Sequence, residues 1–241
     1  MIIIPDIHGR SFWKDAVKNN EDQEIIFLGD YVDPYTYEGT MPLEGLIALE
    51  EVIEFKKAHP NNVTLLLGNH DLTYLSESIG ANRHDYTNHN QIKKLLTENI
   101  NLFQIAYEKN INNKLFIFSH AGIIREWLNN NEMTLGSIRP GHEVETLNRL
   151  FKEGKLYQAL SDVSMYRGGI SDTSSCVWAD LQEFNDHLIN DTSRCSDIYQ
   201  IFAHTQLAST PFIDKYFACL DCRKAFILDD EGNISELIPT P

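Results

Sequence analysis

Carboxylate, imidazole and amide donors recur along this chain in small groups: Asp6 with His8, Asp30 with Asp33, Asn69 with His70 and Asp71, then His120 and His204 singly. All are residue types that bind divalent metal ions. Asp6 and His8 are two apart, so on extended chain both point to the same side and could serve one ion. Asp30 has two oxygens, one for each of two ions, and Asn69, His120 and His204 could complete the second. Mixed oxygen and nitrogen donors suit Mn, Fe, Zn or Co better than Ca, and the residue types do not choose among them.

The elements that must position these groups are short apolar runs. Residues 2–5 lead into Asp6, 25–28 into Gly29 and Asp30, and 63–67 into Gly68 and Asn69. Residues 115–118 lead through Ser119 to His120, and 198–203 end on His204. Apolar runs of four to six residues, bounded by Gly or polar residues, read as buried strands. Open α/β sheets hold ligands at the carboxyl ends of their strands. Ligand types at so many strand ends point to a metal centre.

A helix is predicted over 41–59. Pro42 suits its first turn, and Leu46, Leu49, Val52, Ile53 and Phe55 recur at spacings of three and four. Its acids (Glu44, Glu50, Glu51) come early and its bases (Lys56, Lys57, His59) late, which suits the helix dipole. It serves as the crossover between the second and third strands. A further helix over 87–109 leads to the fourth, an order that implies parallel strands joined by right-handed crossovers. Helices over 123–128, 142–151 and 155–163 are predicted next, then a Gly/Ser-rich loop over 167–175. After His204, strands at 212–220, 224–228 and 234–238, with a turn at 229–233, predict a second, more antiparallel sheet packed on the first.

The 241 residues suffice for one large domain, 1–241, with a full core. With a first strand expected from Met1, no leader is expected, and no apolar stretch approaches the ~20 residues that span a bilayer. Four cysteines (176, 195, 219, 222) are too sparse for a disulfide framework, so a reducing cytoplasm is expected. Cys219 and Cys222 form a lone C-x-x-C and read as structural. The net charge of -15 argues against non-specific nucleic-acid binding. It does not argue against small anionic substrates, because two dications would keep the centre positive inside an acidic shell.

Asp6-Ile7-His8-Gly9, Gly29-Asp30-Tyr31-Val32-Asp33, Gly68-Asn69-His70-Asp71, His120-Ala121-Gly122 and Ala203-His204-Thr205 resemble, in order, the motifs of the calcineurin-like metallophosphoesterases. Within that superfamily the set is most similar to the phosphoprotein phosphatase branch and its bacterial relatives, including symmetrical diadenosine tetraphosphate hydrolases. Trp178-Ala179-Asp180 resembles a Trp-Ser-Asp element of the same branch. The resemblance implies a four-layer α/β/β/α sandwich of mixed sheets with the metal site at strand carboxyl ends. It implies Asp6, His8 and Asp30 at the first ion, and Asp30, Asn69, His120 and His204 at the second. Relatives outside the branch end in His-x-His; Gln206 stands at that last position here and should leave the first ion open to water.

The implied reaction is hydrolysis of a phosphoester by metal-bound hydroxide, with two ions ~3.5–4 Å apart. His70 is implied as donor of a proton to the leaving alkoxide, with Asp33 holding the imidazolium. The family places Arg directly after that second Asp to grip phosphate, whereas this chain has Pro34. Arg167, beside Gly168 and Gly169, is the first candidate to compensate; Arg10 and Arg139 follow. Tyr31, Tyr35 and Tyr37 could stack on a nucleobase or phosphotyrosine, or simply line a loop. The leading expectation is a phosphomonoesterase of the phosphoprotein phosphatase type acting on a phosphoprotein or a small phosphorylated metabolite. A dinucleoside polyphosphate hydrolase is the alternative. Gln206 and the acidic surface disfavour a nuclease or phosphodiesterase, and the full ligand set disfavours a non-catalytic scaffold.

Overall fold

The computed structural model describes residues 1–191 and 197–238; Cys195 lies outside them. In chain order the elements are β1 (Ile2–Ile4), α1 (Phe12–Val17), β2 (Ile25–Phe27), α2 (Pro42–Ala58), β3 (Val63–Leu66), α3 (Asn69–Leu72), α4 (His89–Glu98), β4 (Phe103–Gln104), β5 (Ala106–Ile111) and β6 (Lys114–Ser119). There follow α5 (Arg125–Asn130), α6 (Glu132–Leu135), α7 (Glu143–Lys152), α8 (Tyr157–Leu160), α9 (Leu181–Asn190), β7 (Ile198–Phe202), β8 (Phe212–Ile213), β9 (Phe217–Cys219), β10 (Phe226–Leu228) and β11 (Ile234–Glu236). Two mixed sheets result, ordered β11-β10-β1-β2-β3-β4 and β5-β6-β7-β9-β8.

The two-residue period of a strand explains the layering. Ile3, Ile26, Leu28 and Leu66 of the first sheet share one apolar cluster with Phe116, Phe118, Ile201 and Ala218 of the second. Their neighbours Ile2, Ile4, Ile25, Phe27 and Leu65 face the other way and pack with Trp13, Leu46, Leu49 and Val52 of α1 and α2. On the far side of the second sheet, Phe184 of α9 lies 4.7 Å from the Phe202 ring and 5.1 Å from the Phe217 ring. Helices therefore cover both outer faces of a sheet pair. The start of α2 is set locally: Pro42 opens it, and Glu44 accepts the Met41 N–H at 2.5 Å.

Several predicted elements change. The helix expected over 87–109 stops at Glu98, and the chain turns through Ile100–Leu102 into β4 and β5. Burial along β5 alternates strictly at its centre, a period of two rather than 3.6. Asn112 and Asn113, at φ 50 and 63, make the tight turn that returns it antiparallel along β6. The strand ahead of His120 thus belongs to the second sheet, and β4 takes the fourth parallel place in the first. The segment 212–220 breaks into the antiparallel pair β8 and β9, while β6–β7 and β7–β9 are parallel, so the second sheet is mixed. β10 and β11 leave that sheet and close the edge of β1, where Phe226 and Leu228 join Ile3 between the sheets. An uncovered β1 would expose a row of unpaired backbone groups. The helix expected over 155–163 shrinks to α8. No described helix is long and apolar enough to cross a membrane.

Candidate metal centre

β1, β2 and β3 are parallel, as are β6 and β7, so the loops after all of them open at one end of the sheet pair. The chain must reverse sharply there. His8, Asp30, Asp33 and His204 all take left-handed backbone conformations, with φ of 46, 54, 55 and 64, a region non-glycine residues rarely occupy. Gly29 and Gly68 allow the loops to close: a Cβ on Gly68 would lie 2.1 Å from the Asp30 carboxylate and 2.7 Å from the His120 ring. Asp71 ties the arrangement together by accepting the N–H groups of Asp30, Tyr31 and Gly68 at 2.8, 3.0 and 2.9 Å.

Two groups of donors meet at Asp30. On one side His8 Nε2 lies 3.4 Å from Asp30 Oδ2 and 3.9 Å from Asp6 Oδ2. On the other, His120 Nε2 lies 3.4 Å from Asp30 Oδ2 and 3.1 Å from both Asn69 Oδ1 and His204 Nδ1. His8 Nδ1 donates to the Val32 carbonyl at 2.7 Å and His120 Nδ1 to that of Leu28 at 2.9 Å. Those bonds put the proton on Nδ1 and aim the Nε2 lone pairs inward. Imidazole, amide and carboxylate donors converging at such distances repel one another unless a proton on His120 Nε2 or a metal cation sits among them. The donor set therefore fits metal ions, shared through Asp30.

Charge agrees with that arrangement. Burial holds the His8 and His204 imidazoles well below their ordinary range, leaving them neutral and ready to coordinate. Burial opposes protonation of His120 too, but Asp30 and Asp6 push it up to about 10 in the metal-free protein. Burial likewise works against ionised Asp30, yet His120 and His70 hold its carboxyl well below the carboxylate range. Asp6 is raised by burial and then by Asp221.

Beside the first group, His70 Nδ1 donates to Asp33 Oδ2 at 2.7 Å, and the His70 ring stands edge-on to that of His8 at 5.1 Å. Asp33 Oδ1 accepts from the Tyr74 hydroxyl and from the Asp85 N–H at 2.9 Å, so neither carboxylate oxygen is free. Arg10 borders the site but pairs with Glu38 at 2.8 Å, and Glu38 also binds Arg223. Arg167 bonds Thr205 at 2.7 Å and lies 3.1 Å from Asp180; its charge reaches His204. Arg139 is exposed between α6 and α7, and the structure does not bring it to the site. The Trp178 ring stands 5.7 Å from His204. Tyr31 is buried in the core, whereas Tyr35 stands 5.0 Å from His8 and Tyr37 is exposed.

Three residues at the site escaped the sequence reading. Asp71 lies inside the Gly68–Asp71 motif, but nothing in its local sequence marks the backbone N–H groups of Asp30 and Tyr31 as its partners. Asp221 is buried, with one carboxylate oxygen unpartnered, and burial pushes it up to about 6. The apolar 217–220 run ending on Asp221 is the same strand-end signal that marked Asp30. Arg83 comes from an irregular segment and carries no local signal at all; its guanidinium lies 3.4 Å from both His8 Nε2 and His70 Nε2. A cavity of about 410 Å³ opens elsewhere, by Ile117, Ile124, Phe184 and Gln200, and none of the donor residues lines it.

Known proteins of similar fold carry related names. A cold-active protein-tyrosine phosphatase of the psychrophile Shewanella sp. superposes with a TM-score of 0.62 at 12% identity, over 98% of this chain and 80% of that one. A second structure of a cold-active protein tyrosine phosphatase gives 0.59 at 13% identity, over 98% and 78%. Among curated protein sequences none matches. The family model for calcineurin-like phosphoesterases matches residues 2–205, a span that runs from the first strand to just past His204. Motif order, sheet pair and converging donors agree with that match, and the chain belongs to the calcineurin-like phosphoesterase family.

Proposed function

We propose that this phosphoesterase is a dinuclear metal-dependent phosphomonoesterase of the phosphoprotein phosphatase type. Asp6, His8 and Asp30 would hold the first ion, and Asp30, Asn69, His120 and His204 the second. Bound there, two divalent cations supply an activated water and offset negative charge on the phosphoryl group. The observation that carries the reading is the buried His70–Asp33 pair at 2.7 Å beside the first donor group. Asp33 accepts the Nδ1 proton and would hold the ring as an imidazolium, whose second proton, on Nε2, passes to the departing oxygen and leaves neutral His70 behind. Tyr74 and the Asp85 N–H occupy the other Asp33 oxygen, so the imidazole keeps one orientation.

A protein-borne phosphate is the substrate favoured here. Tyr37 is 72% exposed at the rim, its hydroxyl 3.5 Å from Gln206 and its ring 5.3 Å from Tyr35. Such a wall offers stacking to an aromatic leaving group, and the solved neighbours named above are described as tyrosine phosphatases. Buried free thiols at Cys176, Cys219 and Cys222 suit a reducing cytoplasm. The test is kcat/KM of Mn-loaded protein on phosphotyrosine and phosphoserine peptides, mononucleotides and diadenosine tetraphosphate. Phosphopeptides should lead. Highest activity on the dinucleoside polyphosphate would overturn the assignment, and no turnover with any of them would remove the catalytic reading.

A further inference from the structure

Three guanidinium groups border the donor cluster, and they differ in what neutralises them. The charge of Arg10 is matched by Glu38 at 2.8 Å, and its Nη1 reaches the backbone carbonyls of Asp6 and Ile7 at 3.4 Å, although its buried Nη2 has no partner. Arg167 is held by Asp180 and Thr205. Arg83 faces no carboxylate within 4.0 Å among the described residues. Its Nε donates to the Asp33 carbonyl at 3.2 Å, and one terminal nitrogen lies 3.4 Å from His8 Nε2 and 3.4 Å from His70 Nε2. A half-buried guanidinium whose charge is unmatched by any acid is a site for an anion.

The position is held, not accidental. The Tyr35 ring lies under the guanidinium at 3.5 Å, a cation–π contact that fixes its plane. Two residues on, the Asp85 N–H bonds Asp33 Oδ1, the same carboxylate that orients His70. The segment carrying Arg83 is thereby pinned to the proton-donor pair. Its Arg83 Nε bonds the carbonyl of Asp33, the residue directly before Pro34.

We propose that Arg83 grips the non-bridging oxygens of the substrate's phosphoryl group, and that this contact selects phosphomonoester dianions over diester monoanions. The inference rests on the phosphomonoesterase reading and adds to it the residue that sets charge preference. One face of the imidazole pair receives the leaving-group oxygen at His70, and a donor adjacent to both imidazoles borders the remaining phosphoryl oxygens. A monoester offers Arg83 a full extra negative charge, whereas a diester replaces that oxygen with an ester link. Lysine would keep the charge but lose both the planar fork and the Tyr35 stack.

The experiment compares wild type, Arg83→Ala and Arg83→Lys, each loaded with Mn and checked for equal metal content and Tm. Substrates are p-nitrophenyl phosphate and bis-p-nitrophenyl phosphate, and inorganic phosphate binding is measured by calorimetry. Arg83→Ala should lower kcat/KM on the monoester about 10²-fold and weaken phosphate binding, with a much smaller loss on the diester. Arg83→Lys should fall between, and free guanidinium should partly restore Arg83→Ala. Equal losses on both esters with unchanged phosphate affinity would overturn the role of Arg83 while wild-type activity stands. A wild type that binds phosphate through Arg83 yet turns over no monoester would instead overturn the phosphomonoesterase reading.

Discussion

The two halves of the donor cluster are built differently. Around His120 the donors lie 3.1–3.4 Å apart, and they come from both sheets: Asp30 and Asn69 follow strands of the first, His120 and His204 strands of the second. Around His8 the spacing loosens to 3.4–3.9 Å, both acids follow strands of the first sheet, and Arg10, Arg83 and Tyr35 crowd the outer side. The tight half is locked by the packing of sheet on sheet. The loose half is bordered by cationic and aromatic side chains. Sheet packing thus fixes one half of the cluster, and cationic side chains border the other.

Asp30 is common to both halves, so its loss should produce the largest effect. Asp30→Asn should cost both ions and about 10³-fold or more in kcat/KM, read by metal analysis and turnover. A variant that kept either ion at full affinity would show the halves to be independent. Next comes His70→Asn, which touches only the loose side. It should lower kcat by about 10²–10⁴-fold on alkyl phosphates, much less on p-nitrophenyl phosphate, whose leaving group needs no proton, with metal content unchanged. Equal losses on both substrates would remove His70 as proton donor.

The halves should also part on pH. With His120 at about 10 in the metal-free protein, an ion entering the tight half displaces a proton from that imidazole. In the loose half neutral His8 releases none, and the proton to be displaced is that of Asp6, whose carboxyl burial raises. Calorimetry in buffers of different ionisation enthalpy would read the difference. Because the folded value exceeds the ordinary 6.5, the His120 imidazolium stabilises metal-free protein fully below pH 6.5, and that contribution is lost as pH rises through about 10. The Tm gained on adding Mn should therefore widen as pH rises. A constant gap would contradict the assignment. The smallest effect is expected for Arg167→Ala: a rise in KM below about tenfold with kcat kept, since Asp180 already offsets most of its charge. Unchanged kinetics would remove Arg167 from the site.

Much of the centre was legible along the chain because its donors follow closely on strands, Asp6 and His8 on β1 and the others each on a separate one, so local order carried the information. Asp221 was readable by the same rule and was passed over. The hairpin of β5 and β6 hinged on Asn112 and Asn113, a turn signal outweighed by an apparent continuation of helix.

Residue types and local spacing by themselves determined the buried strands, the α2 crossover and the donors at their ends, since backbone periodicity and side-chain chemistry act within a few residues. Only the tertiary structure decided which sheet each strand joins, that β10 covers the edge of β1, and that Arg83 stands over Tyr35 beside His8 and His70. Those outcomes depend on which apolar faces and unpaired edges meet across long loops, a property of the assembled core rather than of any stretch of chain.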